Sequence, residues 1–441
     1  MRVLIGNAFS EVLVGRYGRT RAQWKAQKLL WWARPGDVLV LPGEPDHDFL
    51  DYALRLRGVD PGAVRVVVPP DDEEGDPRLT RGRLLDERLH ATLRGVIGVR
   101  PVETVLAFWP DTTVSSLADA IGAKEALSGY AFMTQSGGTV SNSKAVFRAV
   151  AAGVGAPVPD GVVCVLREEA EQVAWAMLAE GRPVMLKGEY FMSGDGNVIL
   201  GPDDGFPPLG ARTRIVTVRP DQVTKALADH WDRLTGAGRY RLVVEEYHPG
   251  CTSLFAEFLV TDSDVVHKGD GELLKDPQGV GQIMPFQGQP ADVRRQLLEG
   301  GAALSQALRA VGYRGIVSAD AVVTPDRQVL FTEYNGRTTS STHIYEVIGK
   351  ELVGERYPAQ RVLFEKVQLK APSFAEALRR LRACGLAYDR TAGHGVVLTS
   401  AYESRVSNLN YCAVGEDLAS VLALSREVDR LVADPAEPGA R

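Results

Sequence analysis

Short apolar runs alternating with helix-like spacing open the chain. The runs are Arg2–Ile5 and residues 37–42, 64–68 and 104–108, each rich in β-formers, and the first three end at Gly or Pro. Between them, segments such as 21–32 and 49–57 repeat apolar residues at helical intervals. Strands that alternate with helices predict a parallel sheet covered on both faces. Ligands of such sheets bind beyond the carboxyl ends of the strands, which puts Gly6, Asn7 and Ala8, with Pro110 and Asp111, on that edge. No G-x-G-x-x-G follows the first run, which disfavours a dinucleotide ligand.

From about Ser141 the pattern changes. Asn142 or Ser143 can cap a helix Lys144–Val154, ended by Gly155 and Pro157. Strand-like runs at 161–166, 184–187, 197–200 and 240–246 then enclose helical stretches at 168–180 and 221–234. Further strands at 253–260, 265–268, 316–323 and 328–334 surround a helix at 291–311. This is an α+β arrangement with antiparallel hairpins. The tail holds a helix at 374–384, a β-like run at 395–399 and a last helix at 417–432. Residues 434–441, with two prolines, are expected to fray.

Composition narrows the function classes. The chain has 441 residues, enough for two or three domains. No apolar run reaches the roughly 20 residues of a membrane helix, and the start MRVLIGNAFSE is too short in apolar residues for a signal peptide. Cytoplasmic residence without membrane association is the expectation. A formal charge of −6 offers no general attraction to nucleic acid. The four cysteines lack C-x-x-C spacing and the seven histidines form no ligand pair, which argues against disulfides and zinc. Arg outnumbers Lys roughly three to one, so a Lys inside an apolar strand stands out. Nothing fixes the oligomeric state; a homodimer is compatible with the sequence.

Two clusters carry candidate chemistry. GYRGIVSADAVV sets Asp320 inside an apolar strand, and LFTEYNGR sets Glu333 and Asn335 at the end of the next. A turn at 324–327 makes these a hairpin, and Glu333 and Asn335 share a face because the strand period is two. Two carboxylates and an amide oxygen suit Mg²⁺, with Mn²⁺ as a substitute. Lys187 lies in the apolar strand PVMLKGEY, where an unpaired charge is costly. After it, residues 191–197 form a turn with Ser193, Gly194 and Gly196 that could lay N–H groups on phosphate oxygens. Judged alone, a two-glycine turn is usually an ordinary hairpin, and Lys144 in the first turn of a helix is usually solvated. Together the two lysines supply cations on opposite sides of one pocket. The strand end VVEEYHPG could read an adenine edge through its backbone. The Thr338–Ser341 run, with Thr342 after it, is a candidate substrate loop.

The order and spacing of NSK at 142–144, VMLKGEYFMSGDG, VVEEYHPG, GYRGIVSADAVV and E-x-N-x-R resemble the ATP-grasp superfamily over about 200 residues. That resemblance implies an ATP-grasp fold, two α+β subdomains clamping ATP, in residues 141–344, with a lid at about 157–244. A Rossmann-like pre-ATP-grasp domain would occupy 1–140 and a small C-terminal α/β segment 345–441. It implies that Lys144 and Lys187 contact the ATP phosphates beneath the loop of Ser193, Gly194 and Gly196. Glu245, Glu246, Tyr247 and His248 would lie at the adenine hinge, with Thr252 and Ser253 just beyond. Asp320, Glu333 and Asn335 would hold two Mg²⁺ ions, and Arg337 would contact the reacting carboxyl or phosphoryl group.

The start MRVLIGNAFSE, the junction QSGGTVSNSKAVFR, EYNGRTTSST and the tail GHGVVLTSAYES are similar to the pheganomycin-type peptide ligases of antibiotic biosynthesis. This implies a ligase that activates an amino-acid carboxylate, nonproteinogenic and guanidino-bearing, as an acyl phosphate and joins it to the N-terminal amine of a peptide. The chain departs from the superfamily at two places. Ser318 stands where many dipeptide-forming members have Arg, so Arg337 or Arg314 would supply the charge for the oxyanion. Thr252 and Ser253 stand where an acidic ribose ligand is usual. Competing readings are phosphotransfer to a hydroxyl on the same fold and nucleotide binding without catalysis.

Overall fold

The structure is a computed structural model and describes residues 1–10, 21–71 and 75–433. The tail expected to fray, 434–441, lies outside the described residues. Strands β1 (Arg2–Ile5), β2 (Val38–Val40), β3 (Arg65–Val67) and β4 (Thr104–Ala107) form a parallel sheet in the order β3-β2-β1-β4. Alternate side chains leave opposite faces, as the strand period requires. Val3, Ile5, Val38 and Val40 pack with Leu89, Leu93 and Leu117 on one side. Leu4, Leu39 and Leu41 pack with Leu29, Trp31 and Phe49 on the other.

The helix expected at 21–32 starts as an α-helix, Ala22–Ala26, and tightens to a 3₁₀ turn over Gln27–Trp32. Tertiary contacts decide this. Trp31 Nε1 donates to the Thr399 carbonyl at 3.0 Å and Trp24 Nε1 to the Ala401 carbonyl at 2.6 Å, tying the segment to the far end of the chain.

A second sheet is built from β5 (Gly161–Cys164), β6 (Val184–Gly188), β7 (Asn197–Gly201), β8 (Thr213–Val216) and β9 (Leu242–Glu246), in the order β5-β9-β6-β7-β8. Helices Arg167–Ala179 and Pro220–Thr235 cover one face, where Val184, Leu186, Val198, Leu200 and Val244 are buried. The opposite face carries Met185, Lys187 and Glu245 toward the cleft.

The third sheet contains β10 (Thr252–Val260), β11 (Val265–Lys275), β12 (Gly279–Met284), β13 (Gly315–Val323), β14 (Val329–Asn335), β15 (Val362–Lys370), β16 (Gly395–Leu398) and β17 (Asn408–Gly415), ordered β14-β13-β10-β11-β12-β15-β17-β16. Helix Ala291–Ala310 packs on Leu254, Ala256, Phe258, Val317, Ala319 and Ala321. The tail strands β15 to β17 therefore extend the sheet begun at β10. Strand β11 runs seven residues beyond 268 because β12 pairs with its second half, and Gly271 there admits the Ile283 carbonyl and Phe255 ring closer than a Cβ would allow. Among the described residues no helix is long and apolar enough to cross a membrane.

Candidate active site

The face of the second sheet away from its helices and the open face of the third bound a cleft of about 950 Å³. Lys187 reaches it because its strand neighbours Leu186 and Val184 point into the core beneath those helices. Its ammonium pairs with Glu245 on the adjacent strand, and Glu245 Oε2 also takes Arg148 at 2.9 Å. Two cations thus hold one buried carboxylate, and that carboxylate aims Lys187.

Lys144 arrives from another element. Ser143 caps the helix Lys144–Val154, its Oγ accepting from the Val146 N–H at 3.0 Å, and Gly155 ends it in the left-handed region. The Lys144 ammonium lies 2.8 Å from Glu333 Oε2 and donates to the Phe191 carbonyl at 2.8 Å. Asp320 and Glu333 are direct partners across β13 and β14, where a bulge follows. Ser318 Oγ donates to Asp320 Oδ1 at 2.7 Å and Asn335 Nδ2 to Asp320 Oδ2 at 3.2 Å. Burial, then the neighbouring Glu333 charge, pushes the Asp320 carboxyl up. Burial acts the same way on Glu333, but Lys144, with Lys187 and Arg337, overrides it and holds Glu333 below its ordinary value.

Arg337 donates to Asn335 Oδ1 at 2.7 Å, and its guanidinium carbon lies 4.6 Å from the Trp109 ring centroid. Behind that ring, Asn7 accepts from the Trp109 N–H at 3.2 Å and donates to its carbonyl at 2.5 Å. Asn7 is therefore not on the cleft wall, contrary to the sequence expectation; it anchors the residue against which Arg337 stacks. Arg314 is also corrected. It is engaged with Asp262 at 2.7 Å and does not line the cleft. Gly196 and Thr252 stay off the wall too. A Cβ on Gly196 would stand 2.2 Å from the Phe191 ring, so that glycine shapes the loop from within, and Thr252 pairs with Val323 inside the sheet.

Ser193 and Gly194 do line the cleft, both with positive φ. Gln278, from the turn between β11 and β12, donates to the Ser193 carbonyl at 3.0 Å and to Asp195 at 3.1 Å, so the loop is tied across the cleft. Glu246, Tyr247, His248 and Ser253 form the hinge side of the wall. Thr338 to Ser341 line it as expected, and Glu257 lies behind them, fully buried. The hydroxyls of Thr339, Thr342 and Tyr345 all donate to Glu257. Burial raises its carboxyl above the ordinary range.

Sequence reasoning missed Lys25, Lys28, Lys275, Gln282 and Glu365, all on the wall. For the three lysines the one available signal was the scarcity of that residue; Gln282 and Glu365 had none. Lys275 ends β11 beside the metal-type trio; burial and then Lys187 lower its pKa, while Asp320 and Glu333 oppose that.

Among the described residues no group of three or more His, Cys, Asp or Glu side chains forms a metal cluster. The donor set here is two carboxylates and one amide. Hard oxygens of this kind, with two carboxylates in direct register, fit Mg²⁺ rather than a metal that seeks nitrogen or sulfur.

Residues 26–123 match the family model described as the pre ATP-grasp domain, and residues 376–428 match the one described as the PGM1 C-terminal domain. The chain is 26% identical to the L-propargylglycine--L-glutamate ligase of Streptantibioticus cattleyicolor over 406 residues, covering 82% of this chain and 78% of that one. Among solved structures, biotin carboxylase from Campylobacter jejuni has a TM-score of 0.59 at 14% identity, covering 97% of this chain and 90% of its own. The L-amino acid ligase from Bacillus licheniformis has a TM-score of 0.54 at 12% identity, covering 98% and 97%. At those identities the two structures are similar in fold alone.

Proposed function

We propose that this chain, an ATP-grasp protein with a pre-ATP-grasp domain, is an ATP-dependent carboxylate–amine ligase acting on amino acids. The observation that carries the reading is the meeting of Lys144, Lys187, Asp320, Glu333, Asn335 and Arg337, from four separate segments, in one cleft. Lys144 and Lys187 hold the triphosphate of ATP, under the loop bearing Ser193 and Gly194. Glu246, Tyr247 and His248 flank the adenine. Asp320, Glu333 and Asn335 would hold two Mg²⁺ ions, with Mn²⁺ as a substitute, and the metal would supply charge neutralisation at the phosphates.

The lysines orient the γ-phosphate toward a substrate carboxylate, whose oxygen attacks it. ADP leaves and an acyl phosphate remains. A neutral amine then attacks the acyl carbon, Arg337 steadies the oxyanion, and phosphate departs. In the finer reading the donor is a nonproteinogenic, guanidino-bearing amino acid and the acceptor the N-terminal amine of a peptide, in the making of an antibiotic. The start, junction and tail motifs support it. The division at 140 and 344, with a lid at 157–244, belongs to the same proposal.

The test is incubation with ATP, Mg²⁺, hydroxylamine and single amino acids from a broad set. A ligase gives ADP, phosphate and the amino-acid hydroxamate. ADP formation that tracks a phosphorylated alcohol, with no hydroxamate from any carboxylate, would replace the reading with phosphotransfer.

A further inference from the structure

The cleft wall carries two further lysines that the roles assigned to Lys144, Lys187 and the Asp320–Glu333–Asn335 trio leave unused. Helix residues Lys25 and Lys28 line it together with Ser340, Ser341, Gln282, Glu365 and Asn410. Among the described residues Lys25 has no carboxylate partner; its ammonium sits 5.0 Å from the Phe9 ring centroid. Lys28 lies 3.9 Å from Glu365 Oε1, its side chain only 11% exposed. Glu365 is itself shared, since it accepts from Gln282 and, at 3.0 Å, from Thr399. Among the described residues Glu365 is the one carboxylate paired with Lys28, while Lys25 feels the Lys28, Arg337 and Arg21 charges, opposed only by that of Asp195. Burial and these like charges bring the Lys25 pKa down to about 8.

An ammonium held in a desolvated cleft without an anion is costly. Lys144 and Lys187 already have theirs within the protein, in Glu333 and Glu245. The segment bearing Lys25 and Lys28 is fixed in place by Trp24 and Trp31 on the carbonyls of Ala401 and Thr399, which holds both lysine backbones at the cleft wall.

Resting on the ligase reading, we infer that Lys25 and Lys28 form a subsite for a carboxylate that is never activated, one that the amine substrate carries within a few bonds of its nucleophilic nitrogen. Glu365, beside them, faces the ammonium of the same molecule before it loses its proton. An α-amino acid meets this description through its α-carboxylate. A peptide meets it only when its first residue has an acidic side chain.

The experiment uses the whole protein, ATP and the carboxylate donor found by the hydroxylamine screen. One arm offers each amino acid against its α-amide as acceptor. The other offers glutamyl-alanine against glutaminyl-alanine. The expected result is a preference for the carboxylate form of at least tenfold in kcat/KM, in one arm or the other, which identifies the source of the anion. Lys25→Gln and Lys28→Gln reduce that preference to about twofold or less, through KM, and Lys25→Arg keeps it. Equal use of acid and amide in both arms by the unaltered enzyme overturns the inference while hydroxamate formation still upholds the ligase. A preference that survives in both Gln variants overturns it too. If no hydroxamate forms from any donor, it is the ligase reading that has failed.

Discussion

Lys144 Nζ lies 2.8 Å from Glu333 Oε2, joining the first turn of one helix to the end of a strand in another part of the sequence. The contact places a phosphate-type cation directly on a metal-type carboxylate. It is also why Glu333 stays ionised while Asp320, its partner across the hairpin, is pushed the other way.

That division of charge predicts how the site fails. Asp320→Asn and Lys187→Gln should each lower kcat by about 10²–10³, the usual cost of one charge-stabilising group. Neither should unfold the protein. Asp320 as Asn loses a carboxyl that its surroundings already disfavour as an anion, and Glu245 keeps Arg148 when Lys187 is gone. Steady-state kinetics beside a urea midpoint check this. Near-normal turnover in both variants would remove the assignment.

Arg337 depends on the Trp109 face and Asn7 behind it. A cation–π contact of this sort contributes about 0.5–2 kcal/mol. Trp109→Leu is therefore expected to reduce kcat/KM by up to roughly 30-fold, and Asn7→Ala to follow it in the same direction while changing nothing on the cleft wall. Arg337→Lys should cost more than either, because an ammonium cannot reproduce the planar fork. Ranking the three by kcat/KM is the measurement.

Glu257 organises the loop at 338–342, proposed to meet the substrate, from behind. Glu257→Val would leave the hydroxyls of Thr339, Thr342 and Tyr345 without their acceptor, at about 1–3 kcal/mol of stability. The loop from 338 to 341 should loosen, raising KM for the amino acid more than for ATP. Equal rises in both would show that Glu257 acts through the fold alone.

His343 gives a pH signature. It is fully buried, among the described residues neither ring nitrogen has a hydrogen-bond partner within normal distance, with Glu365 Oε1 4.0 Å from Nε2, and burial, then Lys28, holds its pKa well below 6.5 against the opposing Ser340 backbone. The native state keeps it neutral while the unfolded chain protonates near 6.5, so the unfolded state binds the extra proton. This group's contribution therefore favours folding less as pH falls through about 6.5, by up to about 1.4 kcal/mol per pH unit below it. His343→Gln should unfold at a urea midpoint less sensitive to the step from pH 7.5 to 5.5 than the parent. An unchanged sensitivity would mean that His343 titrates normally.

The legible parts of the sequence were those whose meaning is local. Alternation put Leu186 in the core of the second sheet and Lys187 out of it, and a short turn at 324–327 made Asp320 and Glu333 partners. Ser143 capped its helix as a helix-start signal requires. Strands β12, β15 and β17 escaped notice because Gly, Gln, Asn and Glu interrupt their alternation; pairing with neighbours, not their own pattern, makes them strands.

What the order of residues settled alone was the set of elements and the chemical kind of the site: cations, paired carboxylates, a glycine loop. The strand period and the turn residues act over a few positions, so one chain suffices to read them. Only the tertiary structure decided that Arg337 rather than Arg314 turns to the cleft, that Asn7 supports from behind, and that Lys25 and Lys28 join its wall. Those outcomes depend on how sheets and tail dock, a balance of burial and pairing between segments hundreds of residues apart, on which local spacing has no bearing.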